Sequence, residues 1–186
     1  ICSLHPKVIR TLDGGMFPYN FTEPWTLVSG DYVSKSYAIF VNSVDGMMGW
    51  KLVLDYYDIE LAPKPGGYDL KINGNATQLI ELMAGTRLPD QKQWRVRITT
   101  YGSAFVIELP NQLVTLIYSF DSVTVVLSDF LQGRVVGLCG DMNGTHKTTL
   151  PDAYVLRVDK SPKFNNLTVS GVDIPEGLSD YEPRWD

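Results

Sequence analysis

Residues 94–127 read WRVRITTYGSAFVIELPNQLVTLIYSFDSVTVVL, and this stretch decides the fold class. Apolar and polar residues alternate along it with a period of two, the pattern of strands that bury one face. Tyr101-Gly102 and Pro110-Asn111-Gln112 interrupt the alternation with residues that favour tight turns. The stretch therefore predicts four antiparallel strands joined by hairpin loops.

The same pattern continues through most of the chain. Asp13-Gly14-Gly15 and Asn73-Gly74 supply further turn signals. The predicted strands are Val8–Leu12, Thr26–Val28, Ser36–Asn42, Trp50–Leu61, Tyr68–Ile72, Gln78–Met83, Trp94–Thr100, Ala104–Leu109, Gln112–Ser119, Ser122–Leu127, Arg134–Leu138 and Tyr154–Val158. About twelve short strands predict an all-β fold, an antiparallel two-sheet sandwich or a flattened barrel. The segment 75–84 is compatible with a short helix as well.

The size and charge of the chain exclude some classes of protein. With 186 residues, of which 44% are hydrophobic, one core is expected. The net charge of -5 is spread along the chain, so we expect no nucleic-acid partner. Apolar runs are far shorter than the roughly 20 residues of a membrane-spanning helix, so we expect no membrane span. The first residues do not form a signal peptide, and we expect any secretion signal to lie upstream or to have been removed.

Composition also predicts the domain organisation. Residues 1–159 carry the strand pattern and are expected to form one β domain. Residues 160–186 are polar and rich in turns, with Pro162, Pro175 and Pro183 placed where they would interrupt a ladder of strands. We expect this stretch to be an extended C-terminal tail outside the β core.

Four sequons favour the secretory pathway. The acceptor asparagines for N-linked glycans are Asn20, Asn75, Asn143 and Asn166, each followed two residues later by threonine. The chain is therefore expected to be a secreted, extracellular glycoprotein. Its two cysteines, Cys2 and Cys139, are by themselves as compatible with two buried thiols as with one disulfide.

Two motifs carry a resemblance to a known family. The first is Cys2-Ser-Leu-His-Pro-Lys-Val-Ile-Arg-Thr-Leu-Asp-Gly-Gly15, and the second is Arg134-Val-Val-Gly-Leu-Cys-Gly-Asp-Met-Asn-Gly144. Between them lie Leu70-Lys-Ile-Asn-Gly74 and the strands of 94–127, in the order in which that family has the corresponding elements. Over residues 1–159 the chain resembles a von Willebrand factor type D domain. The resemblance implies a disulfide between Cys2 and Cys139.

The resemblance also implies a calcium site. The residues that correspond to the family's ligands are Asp13, Asp141 and Asn143, with the backbone carbonyl of Thr145. Calcium prefers six to eight oxygen ligands, which carboxylates, amides and carbonyls in a tight loop provide. The alternative is a turn rich in Asp and Asn that is stabilised by its own backbone hydrogen bonds. The sequence His146-Lys-Thr-Thr-Leu150 departs from the family, because relatives tend to have Asn and Asp ligands there.

Other departures concern cysteine. Cysteine-dense relatives carry Cys-Gly-Leu-Cys-Gly and often a Cys-Trp pair, whereas Val136 and Pro24 stand at those positions here. The Gly-Asp-Pro-His autocleavage sequence of some relatives is absent too. We therefore expect neither thiol exchange nor self-cleavage. A cysteine-poor domain of this kind resembles the version in large lipid transfer proteins such as vitellogenins and apolipophorins.

No pattern predicts an active site. HExxH, GxSxG and a phosphate-binding glycine loop are absent from the sequence. His5 and His146 are interpreted as surface residues, because a zinc site needs two more ligands. Asp55, Asp58 and Glu60 are interpreted as the solvated face of a strand, the alternative being an acid/base pair.

The aromatic residues allow two interpretations. Trp50, Tyr56, Trp94, Tyr101, Phe105 and Tyr118 lie within the strand patterns. We expect them in the core and in cross-strand pairs. The alternative is that an exposed subset forms an apolar patch that contacts lipid or another domain.

Three functions remain open from the sequence. The first is a non-enzymatic structural and interaction module of a large secreted glycoprotein, a lipid carrier of the vitellogenin or apolipophorin type. Its partners are then other domains of the parent protein, with lipid or a cell-surface receptor as further candidates. The second is a stand-alone secreted β protein that binds a small apolar or pigment ligand. The third, an enzyme with an unrecognised site, is the least supported.

Overall fold

The computed structural model describes residues 1–12, 14–21, 25–31, 36–54, 58–77, 85–88, 92–102, 104–140, 142 and 156–157. Within these ranges it contains sixteen β-strands and two single-turn 3-10 helices, Pro110–Gln112 and Asp129–Leu131. The strands are β1 (Cys2–His5), β2 (Val8–Arg10), β3 (Met16–Pro18), β4 (Thr26–Asp31), β5 (Ala38–Val44), β6 (Met47–Val53), β7 (Asp58–Lys64), β8 (Gly67–Ile72), β9 (Asn75–Thr77), β10 (Thr86–Leu88), β11 (Val96–Tyr101), β12 (Ala104–Glu108), β13 (Val114–Ser119), β14 (Ser122–Leu127), β15 (Val135–Val136) and β16 (Leu156–Arg157).

The strands form two antiparallel sheets. The first sheet has the order β10-β11-β12-β13-β14-β1-β2-β3. The second has the order β15-β4-β5-β6-β7-β8-β9, and β16 also pairs with β4. Neither sheet closes on itself, so the fold is an all-β sandwich and not a flattened barrel.

Two tight turns show how the sequence sets the hairpins of the second sheet. Asp45 and Gly46 connect β5 to β6 with φ angles of 54° and 77°. Asn73 and Gly74 connect β8 to β9 with φ angles of 52° and 82°, at a predicted turn. Positive φ at both central residues favours Asn, Asp and Gly, and it matches the twist of antiparallel strands.

The core lies between the two sheets. Alternate residues of β13 and β14 point into it, namely Val114, Leu116, Tyr118, Val123, Val125 and Leu127. From the second sheet, the Trp50 ring meets the Tyr118 ring edge-on, with 6.4 Å between centroids. The Tyr118 hydroxyl donates a hydrogen bond of 2.6 Å to the carbonyl oxygen of Met48. Aromatic packing and one buried hydrogen bond thus join the middles of the two sheets.

Two buried phenols make stability sensitive to alkaline pH. Burial raises the pKa of Tyr118, and it also raises the pKa of Tyr37, where a hydrogen bond with Ser29 opposes the shift and the charge of Asp31 adds to it. Near pH 10 the unfolded chain loses these protons while the folded chain keeps them. Stability is therefore expected to fall above pH 10, with a slope that approaches about 1.4 kcal/mol per pH unit for each tyrosine once the unfolded phenols are fully ionised.

The Tyr118→Phe variant tests this prediction. It lacks one of the two buried phenols, so its unfolding free energy should decrease less between pH 10 and pH 11 than that of the unmodified chain, by about 1 kcal/mol. Urea unfolding followed by circular dichroism at pH 9, 10 and 11 measures both slopes. Parallel curves for the two proteins would contradict it.

The central strands of the second sheet are buried on their outer face as well. Phe40, Lys51 and Val53 lie between core positions of β5 and β6, yet none is more than 3% exposed. Phe40 and Lys51 face each other across the two strands. A buried ammonium group is stable only with an opposite charge or hydrogen-bond acceptors beside it.

Asp58 provides that opposite charge, which corrects one interpretation of the sequence. Its Oδ2 atom lies 3.8 Å from Lys51 Nζ, and its side chain is 13% exposed. Asp58 is therefore not part of a solvated face, because the neighbouring buried lysine draws it inward. Glu60 is half-buried, and Asp55 lies outside the described residues.

The strand predictions are correct in type for most of the chain and incomplete in detail. The four strands predicted within 94–127 are present as β11 to β14. The predicted strand Trp50–Leu61 is instead divided between β6 and β7. Four short strands, β1, β3, β9 and β10, were not predicted, and Gln78–Met83 falls outside the described residues.

Candidate functional site

One disulfide connects the first of the two sequence motifs to the second. Cys2 is the first residue of β1, and Cys139 lies three residues beyond β15. The structure joins them across 137 positions of sequence, with both side chains fully buried. This is the bond that the family resemblance implied, and neither cysteine is a free thiol.

Backbone hydrogen bonds surround the disulfide and reach both sheets. Leu138 N donates to Leu27 O at 3.1 Å, and Cys139 N donates to Val28 O at 2.8 Å, both on β4 of the second sheet. Cys139 O accepts from Leu12 N at 2.8 Å, just beyond β2 of the first sheet. We call the disulfide and residues 137–140 the clamp, because they tie β1 and the chain after β2 to β4.

Gly137 allows the clamp to approach β4 closely. Its φ angle is 124°, which side chains other than glycine rarely adopt. A Cβ atom at this position would lie 2.7 Å from the carbonyl carbon of Val28 and 2.8 Å from its oxygen. The first glycine of the Gly-Leu-Cys-Gly motif is therefore required for two reasons: a side chain would clash with Val28, and only glycine readily adopts this φ angle.

All four predicted calcium ligands, Asp13, Asp141, Asn143 and Thr145, lie outside the described residues. Their neighbours in the chain are described. Leu12, directly before Asp13, is hydrogen-bonded to Cys139, two residues before Asp141. Within the described ranges, no three His, Cys, Asp or Glu residues are grouped as a metal site.

Two of the four sequons can be located. Asn20 follows β3, Asn75 is the first residue of β9, and both are exposed. Asn143 and Asn166 lie outside the described residues. The two described asparagines are accessible, as an acceptor for a bulky glycan must be.

The remaining residues singled out from the sequence are dispersed. His5 is exposed at the end of β1, as predicted, and His146 lies outside the described residues. Among the described residues there is no helix long and apolar enough to cross a membrane.

The aromatic residues divide between core and surface. Trp50, Phe105 and Tyr118 are buried, as predicted. Tyr101 is 67% exposed, so its prediction as a core residue is wrong; it ends β11 beside the Gly102 turn, where a side chain can leave the sandwich. Trp94 is half-buried, and Tyr56 lies outside the described residues.

Sequence reasoning missed a cluster of charged residues around Trp94. Arg87, Arg97 and Glu108 meet there on three neighbouring strands. The positions of Arg97 and Glu108 in adjacent predicted strands were a usable signal for their pairing. No sequence signal placed Arg87 in the cluster, because the short strand β10 was not predicted.

The comparisons with known proteins agree with the fold and the clamp. The family model for the von Willebrand factor type D domain matches residues 2–152, which include both cysteines of the clamp. No curated protein matches the chain. Domains of this family are structural and interaction modules, typically extracellular, and they generally lie within larger proteins. From the family model and the motifs that form the clamp, the chain belongs to the von Willebrand factor type D domain family.

Proposed function

We propose that this chain is a non-enzymatic structural and interaction module of a large secreted glycoprotein that carries lipid, similar to vitellogenins and apolipophorins. The observation that carries the proposal is the clamp, which holds two open sheets together through one buried disulfide and the hydrogen bonds beside it. Such a scaffold presents a fixed surface to its neighbours. In this role it would contact other domains of its parent protein, lipid or a cell-surface receptor.

The cysteine content supports the lipid-carrier version. Both cysteines are used within the domain, and Val136 stands where cysteine-dense relatives have a further cysteine. Thiol exchange and disulfide-linked multimers need an accessible thiol. The chain therefore fits the cysteine-poor domains of lipid transfer proteins better than those of multimerising relatives.

The sequons support the extracellular location. Asn20 and Asn75 are exposed, so glycans at these positions would meet no obstruction from the buried core. Glycosylation and the disulfide both require passage through the secretory pathway.

The stand-alone protein with an apolar ligand is the weaker alternative. The space between the sheets is filled by large side chains, among them Trp50, Tyr118 and Phe105. A ligand of about 300 Å³ or more in that space would have to displace such rings. No observation favours this function over the interaction module.

Native mass spectrometry of the intact protein, purified from its natural source, tests the proposal. The expected result is a much longer parent chain that carries N-linked glycans and co-purifying lipid. A long, glycosylated parent without lipid would remove the lipid-carrier role and leave the module. A short, unglycosylated chain with one bound small molecule would replace the proposal by its alternative.

We also propose that calcium binds at Asp13, Asp141, Asn143 and the carbonyl of Thr145. The donor set, all oxygens with two carboxylates, suits calcium. The hydrogen bond between Leu12 and Cys139 supports the proposal, since it fixes the chain positions from which Asp13 and Asp141 follow.

The Asp141→Ala variant is expected to lose any calcium-dependent increase in melting temperature. A ligand that binds only the folded state raises stability in proportion to the logarithm of its concentration, and the variant lacks one of the two carboxylates. Differential scanning calorimetry with calcium or with EDTA measures the increase. The control is Asp121→Ala, in the exposed turn between β13 and β14, which should keep it. An increase retained by Asp141→Ala would place the ion elsewhere.

A further inference from the structure

The outer face of the first sheet carries an arginine–tryptophan cluster at its β10 end. We define the cluster as Arg87, Trp94, Arg97 and Glu108. The guanidinium carbon of Arg87 lies 5.7 Å from the centroid of the Trp94 ring, and that of Arg97 lies 5.9 Å from it. Two cations therefore lie over one indole ring, an arrangement stabilised by the negative face of the ring.

The charges of the cluster are not balanced. Arg87 and Arg97 stand directly opposite each other on β10 and β11, where like charges are destabilising. Glu108 of β12 forms an ion pair with Arg97, with 2.7 Å between Glu108 Oε1 and Arg97 Nη2. For Arg87, by contrast, the described part of the chain provides no ion pair. Its Nε atom, like that of Arg97, is buried without a hydrogen-bond partner. Arg87 is thus the cation of the cluster that no described carboxylate pairs.

The cluster is also held in place before any ligand arrives. All four side chains are half-buried, and Gly85 lies so close to the Arg97 stem that a Cβ there would be 3.1 Å from Arg97 Cγ. Side chains fixed in this way lose little conformational entropy on binding. A planar guanidinium beside an indole also offers a carboxylate two parallel hydrogen bonds next to an apolar surface.

The charge pattern identifies the kind of partner. The protein carries a net charge of -5, so a group of two arginines with one carboxylate is a local reversal of sign. In the described part of the chain, β10 is the end strand of the first sheet, so the cluster lies at an edge of that sheet. Trp and Arg are the residue types most enriched at the centres of protein interfaces.

We infer that the arginine–tryptophan cluster is a docking site for an acidic, extended segment of a partner polypeptide, with an Asp or Glu carboxylate on Arg87 and an apolar neighbour on Trp94. The inference rests on the proposed role as an interaction module and names the partner that this surface would take. Its test measures peptide binding and not the lipid or glycans of the parent protein, so failure of the inference can be distinguished from failure of the proposed function.

Fluorescence anisotropy with a labelled hexaglutamate peptide tests the inference on the full chain. The peptide should bind, and hexaglutamine should not. Arg87→Gln is expected to weaken hexaglutamate binding about tenfold, the effect of losing one charge-assisted contact. Arg10→Gln removes the same charge from an exposed position of β2, six strands away from β10 in the same sheet, and should change binding less than about twofold.

Several outcomes would overturn the inference. Equal losses in Arg87→Gln and Arg10→Gln would mean that the peptide responds only to overall charge. Equal binding of hexaglutamate and hexaglutamine to the unmodified chain would exclude carboxylate recognition, even if Arg87→Gln failed to fold. A sulfated heparin hexasaccharide that binds more tightly than hexaglutamate, and that loses affinity in Arg87→Gln, would make the site one for acidic carbohydrate.

Discussion

Removing the disulfide, in a Cys2→Ala/Cys139→Ala double variant, is expected to lower the free energy of unfolding by about 4–5 kcal/mol. The bond spans 137 positions, so its loss frees a long loop in the unfolded chain. Total stabilities of single domains are about 5–15 kcal/mol, and the variant is therefore expected to be partly or wholly unfolded at about 37 °C. Urea unfolding at 25 °C, followed by tryptophan fluorescence, measures the loss.

Reduction of the unmodified chain provides the control for this variant. It breaks the same bond without removing either sulfur atom, so the two proteins should lose similar stability. A loss below about 1 kcal/mol in both would mean that the hydrogen bonds of Leu138 and Cys139 to β4 hold the clamp without the disulfide. A large loss in the alanine variant alone would point to packing of the two buried sulfur atoms.

The alternation of residues was sufficient to predict the class of the fold. In β13 and β14 every second residue is apolar, because one face meets the core and the other meets solvent. The alternation did not predict that Phe40 and Lys51 are buried on the outer face of the second sheet. Where both faces of a strand are covered, no period of two distinguishes buried from exposed positions. The alternation also missed β1 and β10, which are too short for a period to be visible.

The clamp could be predicted only in part. The motifs around Cys2 and Cys139 implied the pairing through their resemblance to a family. The hydrogen bond from Leu12 to Cys139 and the approach of Gly137 to Val28 depend on the packing of one sheet against the other. Likewise, Arg87 and Arg97 are ten positions apart in sequence and become neighbours only through the register of β10 and β11. Such contacts follow from tertiary structure, which local patterns do not encode.

Replacing Gly137 with alanine is expected to lower the free energy of unfolding by about 3–5 kcal/mol. Part of this loss comes from a φ angle of 124°, and part from a Cβ that would lie 2.7 Å from the backbone of Val28. Relief of this contact would have to move the clamp away from β4 and lengthen the hydrogen bonds that Leu138 and Cys139 donate to it. The matched control is Gly46→Ala, where φ is also positive, at 77°, but no atom lies within 4 Å of the new Cβ, so its cost should be about 1 kcal/mol. Urea unfolding of the three proteins, with the disulfide intact in each, measures the difference. Equal losses of unfolding free energy in the two variants would show that the positive φ angle alone accounts for the cost at position 137. The contact with β4 would then contribute nothing.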